Sequence, residues 1–548
     1  MREVCTIKRG WKVCTKRFEG MHGTMVTNCT RVSPLMSAKH LSPRLLLATI
    51  FCTGGSILVI EVAALRILSP YFGNTIYTFS SVISIVLAAL SLGYYYGGQL
   101  ADTKPHTHVF FSLIFFGGVS TLLLHILTVL LLPHLGFYMP LTWGPLFISL
   151  FLFGPPCLLL GFLSPLAVKL VESSLGETYV GRAAGNVFCF GTVGSITGSL
   201  LTGFLLIPLF GVREIVFGVG IFLCALGLLG WYLLHHKNWI AIGILLIILI
   251  GNSWAHTVAT LREAEHLIVQ DGIYERITVT DGIREWRPVR YLLQDRTFSS
   301  AEFLDAPDEH VFQYTTYLPL YTLASANLQR ALFIGGGAYT MPYKIVRSID
   351  DSIVDVTEIE PTLFTIAKQF FSVKDHKRLH NIIADGRRFL HDTENTYDLI
   401  YGDAYQSVFS IPAHLTTKEF FDLVYSKLND GGVFIGNFFG ILGEDAPSLV
   451  VSEMKAFRAA FPNHLFFALD DPESSDIQHV MFFGRKDSEP IDVCSSTVRD
   501  MEAEIFADLC EKVVDETSIH WNQYALLTDN YAPVESMTRS VVKQFAAR

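Results

Sequence analysis

The stretch ALFIGGGAYTMPYKIVRSIDDSIVDVTEIEPTLFTIAKQFF, Ala331 to Phe371, decides how the second half of this 548-residue chain folds. Its opening run, Ala331 to Ile334, is short, apolar and closed by three glycines, which suits a buried parallel strand better than a helix. Gly335, Gly336 and Gly337 carry no side chain and reach positive φ freely, so the N–H groups opening the next helix come close to a ligand. A second apolar strand, Ser352 to Val356, arrives where a βαβ crossover would deliver it and leads into Thr357-Glu358-Ile359-Glu360. A carboxylate there accepts two hydrogen bonds from a ribose diol.

Glycine-rich turns also arise for steric reasons alone, and the following strand ends add the weight. His380 to Ile383 ends in Ala384-Asp385-Gly386, and Tyr397 to Tyr401 ends in Gly402-Asp403. Open α/β sheets bind ligands beyond the carboxyl ends of their strands, and polar groups at four successive ends exceed what packing needs. The pattern reads as a doubly wound, Rossmann-like α/β domain holding a nucleoside. The competing reading of each acid is a strand-end carboxylate or a helix cap.

Outward from this core, further strands and helices are expected. Leu267 to Gln270, Ile273 to Thr280 and Val289 to Leu293 suggest a small antiparallel sheet with turns at Asp271-Gly272 and Asp281-Gly282. Glu309 to Ala324 reads as a helix. Downstream, strand and helix alternate: helix Thr417 to Leu428, strand Val433 to Asn437, helix Ser448 to Phe461, and strands Leu465 to Leu469 and His479 to Gly484.

The first half is different. Residues 45 to about 255 are almost free of charge, and seven hydrophobic segments, 45–68, 77–99, 108–132, 145–170, 185–209, 214–234 and 238–255, each approach the roughly 20 residues that cross a bilayer. The expected domains are a basic tail (1–44), a multi-pass membrane domain (45–258), a small β-region and helix (259–325), the Rossmann-like domain (326–490) and a helical tail (491–548). Glycines from Gly185 to Gly203 recur at helical spacing as a close-packing face. Glu61 and Arg66 are read as a structural ion pair with a snorkelling arginine; a polar site in the bundle is the alternative. Lys104, Lys169, Arg182 and Lys237 share the side of the basic N-terminus if every segment spans. The positive-inside rule then places the C-terminal domain across the membrane from the cytoplasm, where a nucleoside would be scarce. The side stays open.

A net charge of −10 and the lack of a basic stripe argue against nucleic acid as partner. The nine cysteines show neither CxxC nor Cys/His zinc spacing, so neither a metal site nor a disulfide framework is expected.

From Leu45 to about Gly484 the chain resembles the spermidine/spermine synthase (polyamine aminopropyltransferase) family in its membrane-fused form. The membrane half carries Glu61 with Arg66, Leu92-Gly93, Gly97-Gly98-Gln99-Leu100-Ala101-Asp102 and the glycine series up to Pro208. In the soluble half the likeness lies in Tyr274-Glu275-Arg276-Ile277-Thr278-Val279, Ile334-Gly335-Gly336-Gly337, Glu358-Ile359-Glu360, Ala384-Asp385-Gly386, Tyr397-Asp398-Leu399-Ile400 and Pro412 to Phe420. The resemblance implies that Gly335, Gly336 and Gly337 approach the nucleoside of decarboxylated S-adenosylmethionine. It implies further that Glu358 holds the ribose, Asp385 and Gly386 meet the adenine, and Asp403 takes a proton from the attacking amine. Gln313, Tyr314 and Gln406 stand as acceptor contacts. The implied partners are a small-molecule amine, the lipid bilayer and a second copy in a homodimer.

Three positions depart from the family pattern. Ala338 stands where an acid follows the glycines, Gln406 where a second acid follows the catalytic one, and Arg296 where the substrate loop has glycine. A lost charge partner for a buried ammonium costs a few kcal/mol, which puts putrescine in doubt as acceptor. Ordinary S-adenosylmethionine, no longer repelled at position 338, is the alternative co-substrate, with methyl transfer as its chemistry. A non-catalytic ligand sensor is the reading from a different class.

Overall fold

The computed structural model describes the backbone of residues 2–8, 11–17 and 24–31. It also describes residues 42–541 apart from 141, 176–178, 236–237, 296, 324–327, 405–410, 444–445, 488, 490–491 and 539–540. Lys237, Arg296 and Gln406 therefore lie outside the described residues. Within the basic stretch 1–44, β1 (Arg2–Lys8), β2 (Trp11–Arg17) and β3 (Thr24–Arg31) pair as an antiparallel meander.

Among the described residues, seven helices are long and apolar enough to cross a membrane: α1 (Pro43–Phe72), α2 (Ile76–Thr103), α3 (Thr107–Leu130), α4 (Gly154–Ser174), α5 (Val180–Leu209), α6 (Val212–Leu233) and α7 (Trp239–Glu263). Their starts carry local signals: Ser42, Thr75 and Asn238 cap α1, α2 and α7 with side-chain oxygens that accept from backbone N–H groups. The glycines do what their spacing suggests. A Cβ on Gly194 of α5 would sit 2.0 Å from Phe51 O of α1, and one on Gly198 would sit 2.3 Å from Gly55 O, so only glycine lets these backbones touch. Arg66 does not answer the ion-pair expectation with Glu61. Its guanidinium leaves α1 and donates to the carbonyls of Gly272 and Tyr274 in the soluble half.

Four antiparallel strands follow α7: β4 (Ile268–Asp271), β5 (Arg276–Arg284), β6 (Arg287–Gln294) and β7 (Thr297–Phe303). The expected turn at Asp281-Gly282 is strand instead, with Gly282 paired to Val289. The chain reverses at Glu285-Trp286, φ 53° and 64°, two residues in the left-handed region that two-residue hairpins require, without the usual Asn or Gly to announce them. The helix expected over Glu309 to Ala324 is a 3₁₀ helix, Gln313–Leu323, with Pro319 inside it.

The large sheet runs β10-β9-β8-β11-β12-β14-β13, from β8 (Arg330–Ile334), β9 (Ile353–Glu358), β10 (Leu379–Ile383), β11 (Tyr397–Gly402), β12 (Leu428–Gly440), β13 (Asn463–Ala468) and β14 (Gln478–Arg485). β8 to β12 pair in parallel, and β14 is antiparallel to both neighbours. Strand period two sorts side chains into two cores: Ala331 and Phe333 of β8 join Met481 and Phe483 on one face, while Leu332 and Ile334 join Val480 and Phe482 on the other. Helices α8 (Thr340–Ser348), α9 (Leu363–Phe370), α10 (Gly386–Asp392), α11 (Lys418–Lys427) and α12 (Leu449–Ala460) connect or cover the strands. The chain leaves β8 first toward β9 and β10, then returns to β11 on its other side, which makes a switch point and a crevice at the carboxyl edge.

One cysteine expectation is corrected. Cys494 and Cys510 form a disulfide with a Cα separation of 4.9 Å, brought together by the folded tail at a spacing with no sequence signature. The tail then packs Leu527, Val534 and Met537 into the core beneath α11 and α12.

Candidate active site

At the carboxyl edge of the sheet lies a cavity of about 630 Å³ lined by Gly335, Gly336, Gly337, Glu358, Asp385, Gly386, Asp403 and Tyr314. The strand-end rule thus gathers groups that are scattered over ninety residues of sequence. Gly335, at φ 98°, ends β8, and a Cβ on it would lie 2.3 Å from the carbonyl oxygen of Asp403. The glycine turn and the end of β11 are therefore in backbone contact. Gly337, at φ 50°, lies under β7: its absent Cβ would meet Ser300 Oγ at 2.5 Å, and Ala338 N–H donates to the same oxygen at 3.0 Å. Ala338 is fully buried, and Tyr339 seals the turn below it with its hydroxyl on Asn381 Oδ1 at 2.6 Å.

Glu358 ends β9 as expected. Its carboxylate accepts from Gly336 N–H at 2.9 Å and from Glu360 N–H at 2.9 Å, and burial raises its pKa above the ordinary carboxylate value. Asp385 caps α10 by accepting from Arg388 N–H at 2.9 Å while His414 Nε2 meets its other oxygen at 2.8 Å. His414 holds the Asp385 carboxyl below its usual range. Cap and cavity wall are both true of this residue.

Asp403 is enclosed by polar partners. Asn437 Nδ2 donates to its Oδ1 at 3.0 Å, and the Tyr314 hydroxyl also bonds to the carboxylate. Burial nevertheless pushes the acid up to about 6. Asn437 Oδ1 in turn receives His479 Nδ1 at 2.8 Å. Burial pushes His479 down to about 4, so its neutral ring carries the Nδ1 proton that points at Asn437. The ring stacks on Tyr314, centroids 5.2 Å apart, and takes the edge of Phe439 at 4.9 Å. Asn437 closes the expected strand Val433 to Asn437 and was legible there as a polar residue at the ligand edge, although β12 runs on to Gly440. His479 was not: β14 is antiparallel, so its first residues meet the ligand edge, against the rule for parallel strands.

Gln313 corrects an expectation. The 3₁₀ helix turns Tyr314 inward and leaves Gln313 exposed, its amide on Leu469 O at 3.2 Å and away from the cavity. Among the described residues no group of three His, Cys, Asp or Glu side chains is placed to hold a metal ion.

Residues 312–438 match the family model of the spermine/spermidine synthase domain. The polyamine aminopropyltransferase of Methanocaldococcus jannaschii is 28% identical over 149 residues, 26% of this chain and 48% of that protein. That of Pseudomonas syringae is 26% identical over 186 residues, 33% of this chain and 57% of its own. The chain thus spans about half the length of these two relatives. A probable spermidine synthase from Corynebacterium glutamicum superposes with a TM-score of 0.39 at 20% identity, covering 46% of this chain and 91% of that one. The matched segment, 312–438, contains the glycine turn, Glu358, Asp385 and Asp403, and in that segment the chain is similar to the spermine/spermidine synthase domain.

Proposed function

We propose that the chain is a membrane-anchored aminopropyltransferase, moving an aminopropyl group from decarboxylated S-adenosylmethionine to an amine. The observation that carries this reading is Asp403: a carboxylate in backbone contact with the glycine turn, lining the same cavity as Glu358, and raised to about 6. A neutral amine attacks the propyl carbon beside the sulfonium; the new C–N bond forms as the C–S bond breaks, and its electron pair returns to sulfur, leaving 5′-methylthioadenosine. The proton shed by the alkylated nitrogen goes to Asp403, whose basicity is matched to accept it near neutral pH. Tyr314 and Asn437 orient that carboxylate. Glu358 lines the cavity as the acceptor for the ribose diol, Gly335 and Gly337 let the bare turn lie against Asp403 and Ser300 at the edge of the nucleoside site, and Asp385 with Gly386 borders the adenine. The seven apolar helices supply the anchor in the bilayer.

The second reading, methyl transfer from ordinary S-adenosylmethionine, draws on Ala338. No anion follows the glycines there to repel a carboxylate, and the amide is already satisfied by Ser300. Calorimetry of the full chain in detergent with both sulfonium compounds, joined to an assay for methylthioadenosine release with an amine mixture, separates the two. Preference for the decarboxylated compound with release of methylthioadenosine supports aminopropyl transfer. Preference for the carboxylated compound with release of S-adenosylhomocysteine would move the assignment to methyl transfer.

A further inference from the structure

The half-buried Arg66, near the end of membrane helix α1, reaches out of the bundle, and Nη2 and Nη1 donate to the carbonyls of Gly272 at 2.6 Å and Tyr274 at 2.5 Å. These carbonyls belong to the turn between β4 and β5, closed by Gly272 N–H on Glu275 O at 2.8 Å. The turn is held from the other side by Glu360, whose Oε2 accepts from Tyr274 N–H at 3.0 Å. Only glycine fits at 272, where a Cβ would lie 2.5 Å from that same oxygen. Glu360 N–H donates to Glu358 Oε1, and Glu358 Oε2 accepts from Gly336 N–H, each at 2.9 Å. A continuous path of hydrogen bonds therefore runs from the membrane helix through the turn to the ribose-side carboxylate and the glycine turn. Tyr274 also lines the cavity.

The path runs through a cluster of acids that a cation complements. Glu275, Glu358 and Glu360 are buried, and Asp295 adds a fourth acid, which Ser69 of α1 meets at 3.4 Å. Arg66 lies close enough to draw the Asp295 pKa downward against the rise from burial. Arg276, which also borders the turn, is engaged with Glu263 at 2.7 Å. Two carbonyls held by one planar guanidinium is a geometry that an ammonium reproduces only in part.

We infer that Arg66 is a positioning residue for the donor nucleoside, so that the membrane helix sets the shape of the site in which Glu358 works. This rests on the donor reading given under the proposed function. Substitution of Arg66 loosens the turn, frees Glu360 to rotate, and leaves Glu358 without a fixed orientation toward the ribose. The amine side, held by Asp403, Tyr314, Asn437 and His479, shares no bond with this path.

The experiment compares full-length Arg66→Gln, Arg66→Lys and Arg213→Gln in nanodiscs, with 5′-methylthioadenosine affinity by calorimetry, the amine KM and thermal stability as readouts. Arg213 of α6 bonds at 2.6 Å to Glu263 at the end of α7, and Glu263 in turn holds Arg276 of β5, a tie between the helices and the soluble half outside the bonds that lead to Glu358, so this variant controls for simple attachment. We expect Arg66→Gln to weaken nucleoside binding about tenfold, the equivalent of about 1.4 kcal/mol, with Arg66→Lys between it and the wild type. The amine KM and the nucleoside affinity of Arg213→Gln should stay within about twofold of wild type, even if the melting temperature falls. Glu360→Gln breaks the path one bond further on and should weaken nucleoside binding similarly, which keeps the test alive if Arg66→Gln does not fold. Equal losses in Arg66→Gln and Arg213→Gln, or no loss in the Arg66 and Glu360 variants, would overturn the inference. A wild-type chain that binds no nucleoside would overturn the donor reading itself.

Discussion

Asn437 Nδ2 donates to Asp403 Oδ1 at 3.0 Å, and this amide, with the Tyr314 hydroxyl beside it, opposes the burial that pushes the carboxyl up to about 6. The bond favours the ionised form, opposing burial. Asp403 must be ionised to take the proton, so turnover should fall as pH drops through about 6, by about tenfold per unit below it. Asn437→Leu should move that acid limb upward, because the stabilising donor is gone. A pH profile of kcat/KM for both chains checks this, and an unmoved limb would remove Asn437 from the account.

Asp403→Asn retains the shape of the side chain and removes its basicity. Turnover should drop by about two to four orders of magnitude while nucleoside affinity changes little, since general base catalysis contributes on that scale. Single-turnover measurements beside calorimetry separate the two effects. Turnover close to wild type would disqualify this residue as the base.

Glu358→Gln puts an amide where Gly336 and Glu360 both present N–H donors. One donor faces another, and the charged acceptor for the ribose is lost. Hydrogen bonds to charged groups contribute about 1.5–3 kcal/mol, so nucleoside affinity should fall about 10- to 100-fold. A 2′,3′-dideoxy nucleoside, which lacks the diol, should bind the variant and the wild type within a factor of about three. Equal losses for both nucleosides would mean that Glu358 shapes the pocket without touching the ribose.

Gly335→Ala adds a methyl at a φ of 98° and drives it to 2.3 Å from the Asp403 carbonyl oxygen. Backbone strain of this kind costs on the order of 1–3 kcal/mol, and the clash displaces the strand end that carries the base. Chemical denaturation should show the loss of stability, and turnover should fall further than the remaining folded fraction explains. Gly431, at φ 74° with nothing near its absent Cβ, provides the control, since Gly431→Ala meets only the conformational cost.

Much of this could be read locally. Apolar runs of strand length, a triple glycine and acids at strand ends obey rules that operate over a few residues, and Gly335, Glu358, Asp385 and Asp403 all line one cavity. The approximate positions of the seven long apolar helices among the described residues follow from hydropathy for the same reason. Tyr314 and Gln313 mark where that reach ends: adjacent in sequence, they face different ways because successive residues of a 3₁₀ helix point about 120° apart, and only packing decides which one turns inward.

What the chain determined by itself was which segments are strands, which are apolar helices long enough to cross a bilayer, and which carboxylates stand at the edge of the sheet, because each is set by side-chain periodicity and backbone freedom within a short window. The tertiary structure decided the partners of those carboxylates. His479 reaches Asn437 only because β14 enters the sheet in reverse. Ser300 covers the glycine turn from the small sheet, and Arg66 meets Gly272 across 206 positions of sequence. Such contacts depend on how packed layers close on one another, and no residue spacing encodes that.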